Sequence, residues 1–299
     1  MLDKFRTRWA KHRFNAQISG VLHTPPIRVE PADFTIFSMV ANDDVPMYLV
    51  AIKSFYARIG CGKVAAIIDR DMPGELRDIL QRHVPGIRFV ILEDIDTGPC
   101  QRGGTWERVL HLLDHAREEY AIQLDADTLT TGPMDEVLAC VSANRAFTLG
   151  TWEGERIVPV SEASAYAERL DYDHIILLTE RALSRLPDAA TLKYVRGSSG
   201  FAGFARGGFD RRRAEDFHVA MAELLGSRFR EWGTEQVASN FAVANSPDPL
   251  VLPFPDYTIF EPKTDVEKAR FFHFIGTFRY RDGIYAQLSR RFIASAVTG

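Results

Sequence analysis

Tyr120-Ala-Ile-Gln-Leu-Asp-Ala-Asp-Thr-Leu-Thr-Thr-Gly-Pro-Met134 is the stretch on which the fold turns. Its first five residues read as a buried strand. Two carboxylates one residue apart, Asp125 and Asp127, close that strand, and a proline follows at 133. In open α/β sheets ligands bind beyond the carboxyl ends of the strands, so charged side chains at this point carry more weight than the same side chains elsewhere.

The segments upstream set the context. Phe34-Thr-Ile-Phe-Ser-Met-Val40 is apolar throughout and rich in β-formers, which predicts a strand buried on both faces. Val45 to Ile59 has helical spacing at Tyr48, Ala51, Ile52 and Phe55, and Gly60 and Gly62 stop it. A strand at Val64 to Ile68, a helix at Glu75 to His83 and a strand at Ile87 to Leu92 follow. A helix at Thr105 to Arg117 then presents Trp106, Val109, Leu110, Leu113 and Ala116 on one face. This rhythm predicts βαβ units and a mostly parallel, doubly wound sheet.

The second half is less regular. Ala146 to Leu149, Gly200 to Phe204 and Leu250 to Leu252 read as strands, and Glu215 to Leu225 and Gln236 to Val243 as helices. There is no repeat, low-complexity tract or linker. Pro25, Pro26 and Pro31 set off a basic segment, 1–33, from a single domain at 34–299, with a nucleotide-binding half at 34–145 and an acceptor and catalytic half at 146–299.

Composition bounds the function. The 299 residues are 46% hydrophobic and 25% charged, as in ordinary globular chains. Lys plus Arg number 36 against 40 Asp plus Glu, too acidic a balance for a nucleic-acid partner. Cys61, Cys100 and Cys140 are odd in number and lack C-x-x-C spacing, which fits thiols in a reducing compartment. With no apolar run of the ~18–20 residues that span a bilayer and no secretory leader, the expected location is the cytoplasm. Lys4, Arg6, Arg8, Lys11 and Arg13 stand against the single acid Asp3 in the first thirteen residues. A solvated helix is the simpler expectation; peripheral contact with an anionic membrane face is the alternative.

Position on a strand does not by itself select Asp125-Ala126-Asp127. D-x-D occurs four times, also at Asp69-Arg-Asp71, Asp94-Ile-Asp96 and Asp171-Tyr-Asp173, and the first three all follow apolar strands. What distinguishes the Asp125 motif is its surroundings. Gln123 to Met134 resembles the metal-binding segment of nucleotide-sugar glycosyltransferases of the GT-A fold, and is most similar to the retaining family 8 type. The chemistry accounts for the residue types. A nucleoside diphosphate leaves poorly until its charge is neutralised, and a hard cation that does so wants oxygen ligands.

The resemblance implies further roles from residue 34 onward. A GT-A, Rossmann-like α/β sheet with an acceptor-side α/β half is the expected fold, and Mn²⁺ or Mg²⁺ the expected cofactor. Ala41, Asn42 and Asp43, at the end of the first strand, fall where that family contacts base and ribose. Arg108 falls where it carries a basic residue that steadies the donor. Arg196-Gly-Ser-Ser-Gly200 and the residues after it look like the segment lining the donor sugar, giving Ser198, Ser199 and Gly200. This chain has Ser198 where the family has Asn. Gly233-Thr-Glu-Gln-Val-Ala-Ser-Asn240 is similar to the family's D-Q-x-x-x-N element, which places Glu235 and Gln236 at the anomeric carbon. Phe271-Phe-His-Phe-Ile-Gly-Thr-Phe-Arg279 fits its H-x-x-G-x-x-K, making His273 a third metal ligand and Gly276 and Arg279 phosphate contacts. Arg in place of Lys keeps the charge and adds a fork suited to phosphate oxygens.

The expected activity is therefore hexose transfer from a nucleotide-sugar, a UDP-sugar first, to a glycan, lipid-linked or protein acceptor with retention. Trp152, Trp232 and Tyr257 are candidates for stacking on sugar. Three alternatives stand beside this. A haloacid-dehalogenase-like phosphohydrolase also ends a strand on D-x-D, but near the N-terminus. A sugar nucleotidyltransferase has a glycine-rich loop resembling Gly103-Gly-Thr-Trp-Glu-Arg108, but after its first strand. A non-catalytic glycan-binding protein would keep the fold without the chemistry.

Overall fold

The computed structural model describes residues 2–151, 156–280 and 282–298. Helices and strands alternate from the start: α1 (Leu2–Ile18), β1 (Phe34–Met39), α2 (Val45–Ile59), β2 (Lys63–Ile68), α3 (Gly74–His83), β3 (Arg88–Ile91), α4 (Trp106–His115) and β4 (Tyr120–Leu124). The middle of the chain forms β5 (Thr128–Thr130), α5 (Asp135–Ser142), β6 (Phe147–Leu149), β7 (Ile157–Pro159), α6 (Val160–Glu168), α7 (Ile175–Ala182), β8 (Lys193–Val195) and β9 (Ser198–Phe204). It ends with α8 (Arg211–Leu225), α9 (Thr234–Ala244), β10 (Leu250–Val251), β11 (Tyr257–Ile259), β12 (Phe271–His273) and α10 (Ile284–Thr298).

Every strand and helix expected from periodicity is present within a few residues. The elements that periodicity did not reveal are mostly too short to show a period: β5, β11 and β12 have three residues each. Among the described residues the main sheet has seven strands and mixed direction, a mostly parallel α/β arrangement as expected. No helix among them is long and apolar enough to cross a membrane.

Contacts group the chain into two compact units, Met1–Ile91, Leu124–Met134 and Pro255–Gly299 in one, Leu92–Gln123 and Asp135–Phe254 in the other. In the first unit β1, β2 and β3 run parallel, with Ser38 opposite Ala66 and Ile67 opposite Val90. Helix α2 is buried almost all round, as its nearly continuous apolar sequence requires. The basic N-terminal helix is tied into this unit. Phe14, Ile18 and Val21 are buried, and the Phe14 ring lies 4.7 Å from that of Tyr285 on α10. The proline segment that follows is held by Lys53, whose Nζ donates to Thr24 Oγ1 at 2.8 Å and to the Pro25 carbonyl. The same unit holds a three-stranded sheet, β11-β12-β5.

In the second unit the strand order is β10-β6-β9-β4. Its aromatic core includes Trp106, Phe147, Phe201 and the stacked pair Phe217–Phe241 at 4.7 Å. Gly197 precedes β9 where no side chain fits: a Cβ there would lie 2.8 Å from both the Leu149 carbonyl and Thr148 Oγ1. Asn240 on α9 fixes this crossing by donating to the Gly197 carbonyl at 2.8 Å.

Candidate metal and donor site

Strand β4 ends at Leu124, and the next three residues turn the chain into β5. Thr128 Oγ1 donates to the Asp125 carbonyl at 2.8 Å and closes that turn. Strand β5 pairs antiparallel with β12, so that Thr128 faces His273. The Phe274 amide then donates to the Asp127 carbonyl at 2.9 Å, extending the ladder by one step. This register brings an imidazole from near the C-terminus onto the acidic turn. His273 Nε2 stands 3.2 Å from Asp127 Oδ1 and 3.7 Å from Asp125 Oδ2.

One ligand atom from each of Asp125, Asp127 and His273 lies within 4.8 Å of the other two. Ligands about 2 Å from a common ion are themselves about 3–4 Å apart, so the spacing suits one divalent cation. Two carboxylates with an imidazole form a donor set suited to a divalent cation. Among the described residues this is the one such cluster. Asp71, Asp94, Asp96, Asp171 and Asp173 are exposed, and Asp173 is engaged by Arg228 at 2.8 Å. Tertiary pairing, not strand position, thus separates Asp125-Ala126-Asp127 from the other three motifs.

Arg279 completes the acidic turn. Its Nε donates to Asp127 Oδ2 at 2.6 Å and to the Phe274 carbonyl at 3.2 Å. Burial alone would raise the Asp127 carboxyl, but the charges of His273 and Arg279 outweigh it and hold the group well below the usual carboxylate range. Burial alone would likewise lower the Arg279 guanidinium, and the Asp127 charge reverses that. Gly276 adopts φ 52°, a left-handed conformation that glycine takes without strain.

Also in the first unit, Ala41, Asn42 and Asp43 follow β1 and lead into α2. The Asp43 side chain is 83% exposed, and its carbonyl accepts from Asn15 Nδ2 at 2.8 Å. Asp44, which the sequence reading did not single out, is held by Lys11 at 2.8 Å. One charge of the basic N-terminal segment is thereby used inside the fold. Tyr285 was also missed. It is fully buried, stacks on Phe274 at 4.1 Å, and donates to the Thr128 carbonyl at 3.3 Å beneath the turn.

The remaining candidates cluster in the second unit around Glu235, in the first turn of α9 and 2% exposed. Arg108 Nη2 stands 3.3 Å from both carboxylate oxygens, so Arg108 is placed as the counter-charge of Glu235. The Thr105 hydroxyl lies 2.9 Å from Glu235 Oε2, and Ser199 Oγ lies 3.4 Å from the same oxygen. Thr105 has φ 69°, rare for a non-glycine residue. Gly103 and Gly104 are left-handed beside it, and the Gly103 amide donates to Glu107 Oε1 at 2.7 Å. This glycine loop opens α4, not the helix after β1, which removes the nucleotidyltransferase comparison. The haloacid-dehalogenase comparison also fails, because the acidic turn follows β4.

Ser198, Ser199 and Gly200 are buried at the start of β9. Ser198 Oγ accepts from the Gly200 amide at 3.3 Å, and the Ser199 carbonyl accepts from Gln123 Nε2. Gln236 is half-buried beside Glu235. Of the stacking candidates, Trp232 is 71% exposed and Trp152 lies outside the described residues. Tyr257 is not available to a sugar. Its ring is fully buried against Phe271, with the Arg270 guanidinium 5.4 Å above it, because β11 lies in a packed three-stranded sheet.

This sheet, with its acidic turn after the fourth strand, is the GT-A fold of nucleotide-sugar glycosyltransferases. Among solved structures the chain is similar to the galactosyltransferase LgtC in complex with donor and acceptor sugar analogs, with TM-score 0.54 and 13% identity over 89% of this chain and 96% of that one. An active-site mutant of LgtC gives TM-score 0.52 and 11% identity over the same shares. No protein-family model matches the chain, and no curated protein matches it by sequence.

Proposed function

We propose that this chain is a metal-dependent hexosyltransferase that uses a nucleotide-sugar, a UDP-sugar first, and transfers with retention to a glycan, lipid-linked or protein acceptor. The observation that carries the reading is the convergence of Asp125, Asp127 and His273, reached by Arg279, on a GT-A sheet. Those three residues would hold Mn²⁺ or Mg²⁺. When bound, such an ion neutralises charge on a diphosphate leaving group.

The chain's own residues supply the rest. Arg279 offers its guanidinium to phosphate oxygens, and Gly276 lets backbone come close to them. Ala41, Asn42 and Asp43 take the base and ribose. Ser198, Ser199 and Gly200 line the donor sugar, and Ala126 lies between the two metal-binding carboxylates. Glu235 and Gln236 serve the anomeric centre, and Arg108, Thr105 and Ser199 hold the Glu235 carboxylate in one orientation. A carboxylate fixed in place by a guanidinium and two hydroxyls is preorganised toward an oxocarbenium-like centre.

The three cysteines are free, and two of them are buried, in keeping with the cytoplasm. Trp9 is 62% exposed on α1 with Arg13 stacked over it at 5.7 Å, which supports peripheral contact with an anionic membrane face. The test is thermal shift over UDP-, GDP-, CMP- and TDP-sugars with and without Mn²⁺. A donor at ~100 times its dissociation constant adds about 2.7 kcal/mol. If none of them stabilises the protein in a metal-dependent way, the proposal fails.

A further inference from the structure

Helix α1 is tied to the loop after β1 more closely than a solvated terminal helix requires. Asp44 stands at the N-cap of α2, where an aspartate ordinarily accepts from the first amides of the helix, yet its side chain makes no such bond. It turns to α1 instead: Lys11 Nζ lies 2.8 Å from Asp44 Oδ1 and 3.9 Å from Asp43 Oδ2. One turn on, Asn15 Nδ2 donates to the Asp43 carbonyl at 2.8 Å. Residues four apart share a helix face, so Lys11 and Asn15 grip the same loop together. The Lys11 side chain is 26% exposed and that of Asp44 20%, so neither is a freely solvated charge.

The same helix reaches the segment that carries Arg279. Phe14 meets the Tyr280 ring edge-on at 5.7 Å, and Arg13 and Gln17 line a cavity of about 290 Å³ together with Arg279 and Tyr280. The Asp44 charge is felt there as well: burial lowers the Arg279 guanidinium, and Asp127, then Tyr280 and Asp44, raise it. Helix, loop and Arg279 segment all belong to the first unit. Asp43 and Asp44 therefore add negative charge beside the acidic turn, where it opposes an arriving diphosphate. Lys11 is the cation set against that charge.

We propose that α1 is part of the donor site and that Lys11 is a positioning residue. It cancels charge on Asp43 and Asp44 and, with Asn15, holds their loop in the shape that receives a nucleoside diphosphate. That the loop receives a nucleotide rests on the function proposed above.

Isothermal titration of the full chain with UDP, GDP and TDP in turn, in the presence of Mn²⁺, tests this. Lys11→Met should weaken the nucleotide that binds by about tenfold, as loss of a charged contact does. Its melting temperature should stay within about 3 °C of wild type, since a part-exposed ion pair adds little stability. Lys11→Arg should recover most of the affinity. Lys268→Met, which removes an exposed lysine paired with Asp265 in the same unit, should leave binding as it is. At ~1 M salt, where the screening length is ~3 Å, the gap between wild type and Lys11→Met should narrow to about twofold. Asn15→Ala leaves Lys11 in place and should weaken the nucleotide about threefold, so it reports even where Lys11→Met does not fold. Equal binding by wild type, Lys11→Met and Asn15→Ala overturns the proposal and leaves the transferase reading standing. A gap that salt does not narrow overturns the role of charge. If no nucleotide binds wild type, both readings fall.

Discussion

His273 sits directly across the β5–β12 ladder from Thr128, and this pairing places its imidazole 3.2 Å from Asp127. Side chains along a strand alternate between faces. A one-residue slip of β12 would turn His273 away and present Phe272 or Phe274 to the acidic turn. The register is held by Phe274 donating to the Asp127 carbonyl and by Tyr285 donating to that of Thr128.

Removing either end of that relationship should abolish metal use. Asp127→Ala and His273→Ala are expected to lower nucleotide release from the donor by more than about 100-fold, since loss of outer-shell partners alone costs about 10–100-fold. Circular dichroism should show the fold retained. Normal turnover in both variants would refute the metal assignment, and a chelator added to wild type should reproduce the loss.

Arg108 and Glu235 should behave as a unit. Both are buried, so Arg108→Met leaves an uncompensated carboxylate and should destabilise the protein by about 3–5 kcal/mol. The double variant Arg108→Met with Glu235→Gln should recover most of that. Denaturant unfolding of all four members of the cycle measures the coupling; additive losses would show that the pair is not the source.

Stability should fall in mild acid because of His83. Burial, with help from Lys53 and Arg82, pushes its imidazole from 6.5 down to about 4. Between those values the unfolded chain takes up a proton that the folded chain does not, so stability is lost as pH drops through that window. His83→Gln should flatten the melting temperature between pH 6.5 and 4 relative to wild type. Parallel curves would rule out His83 as the titrating group.

Gly197→Ala should cost about 1–3 kcal/mol, the range for overpacking a filled site. The new Cβ would meet the Leu149 carbonyl and Thr148 Oγ1 at 2.8 Å and Asn240 Oδ1 at 3.1 Å, backbone and held side chains that cannot move aside cheaply. Gly86→Ala is the contrast: no atom lies within 4 Å there, though φ is 80°, so any loss comes from backbone strain alone. Chemical denaturation distinguishes the two.

The sequence by itself determined the α/β alternation through Tyr120–Leu124 and the pairing of acidic residues at that strand's end. Strand and helix periods are local properties, and α2 or β4 is long enough to display one. Its resemblance to a known motif also picked out His273 and Arg279. Tertiary structure supplied the physical reason for what that resemblance singled out: a metal site needs a third ligand in space, and among the described residues β12 brings His273 to Asp125-Ala126-Asp127 and to none of the other three motifs. It set Arg108 on Glu235, across 127 residues of chain, and sent Tyr257 into the core. Those outcomes depend on which short strands and helix turns meet. Three-residue strands such as β5, β11 and β12 carry too little pattern to say so beforehand.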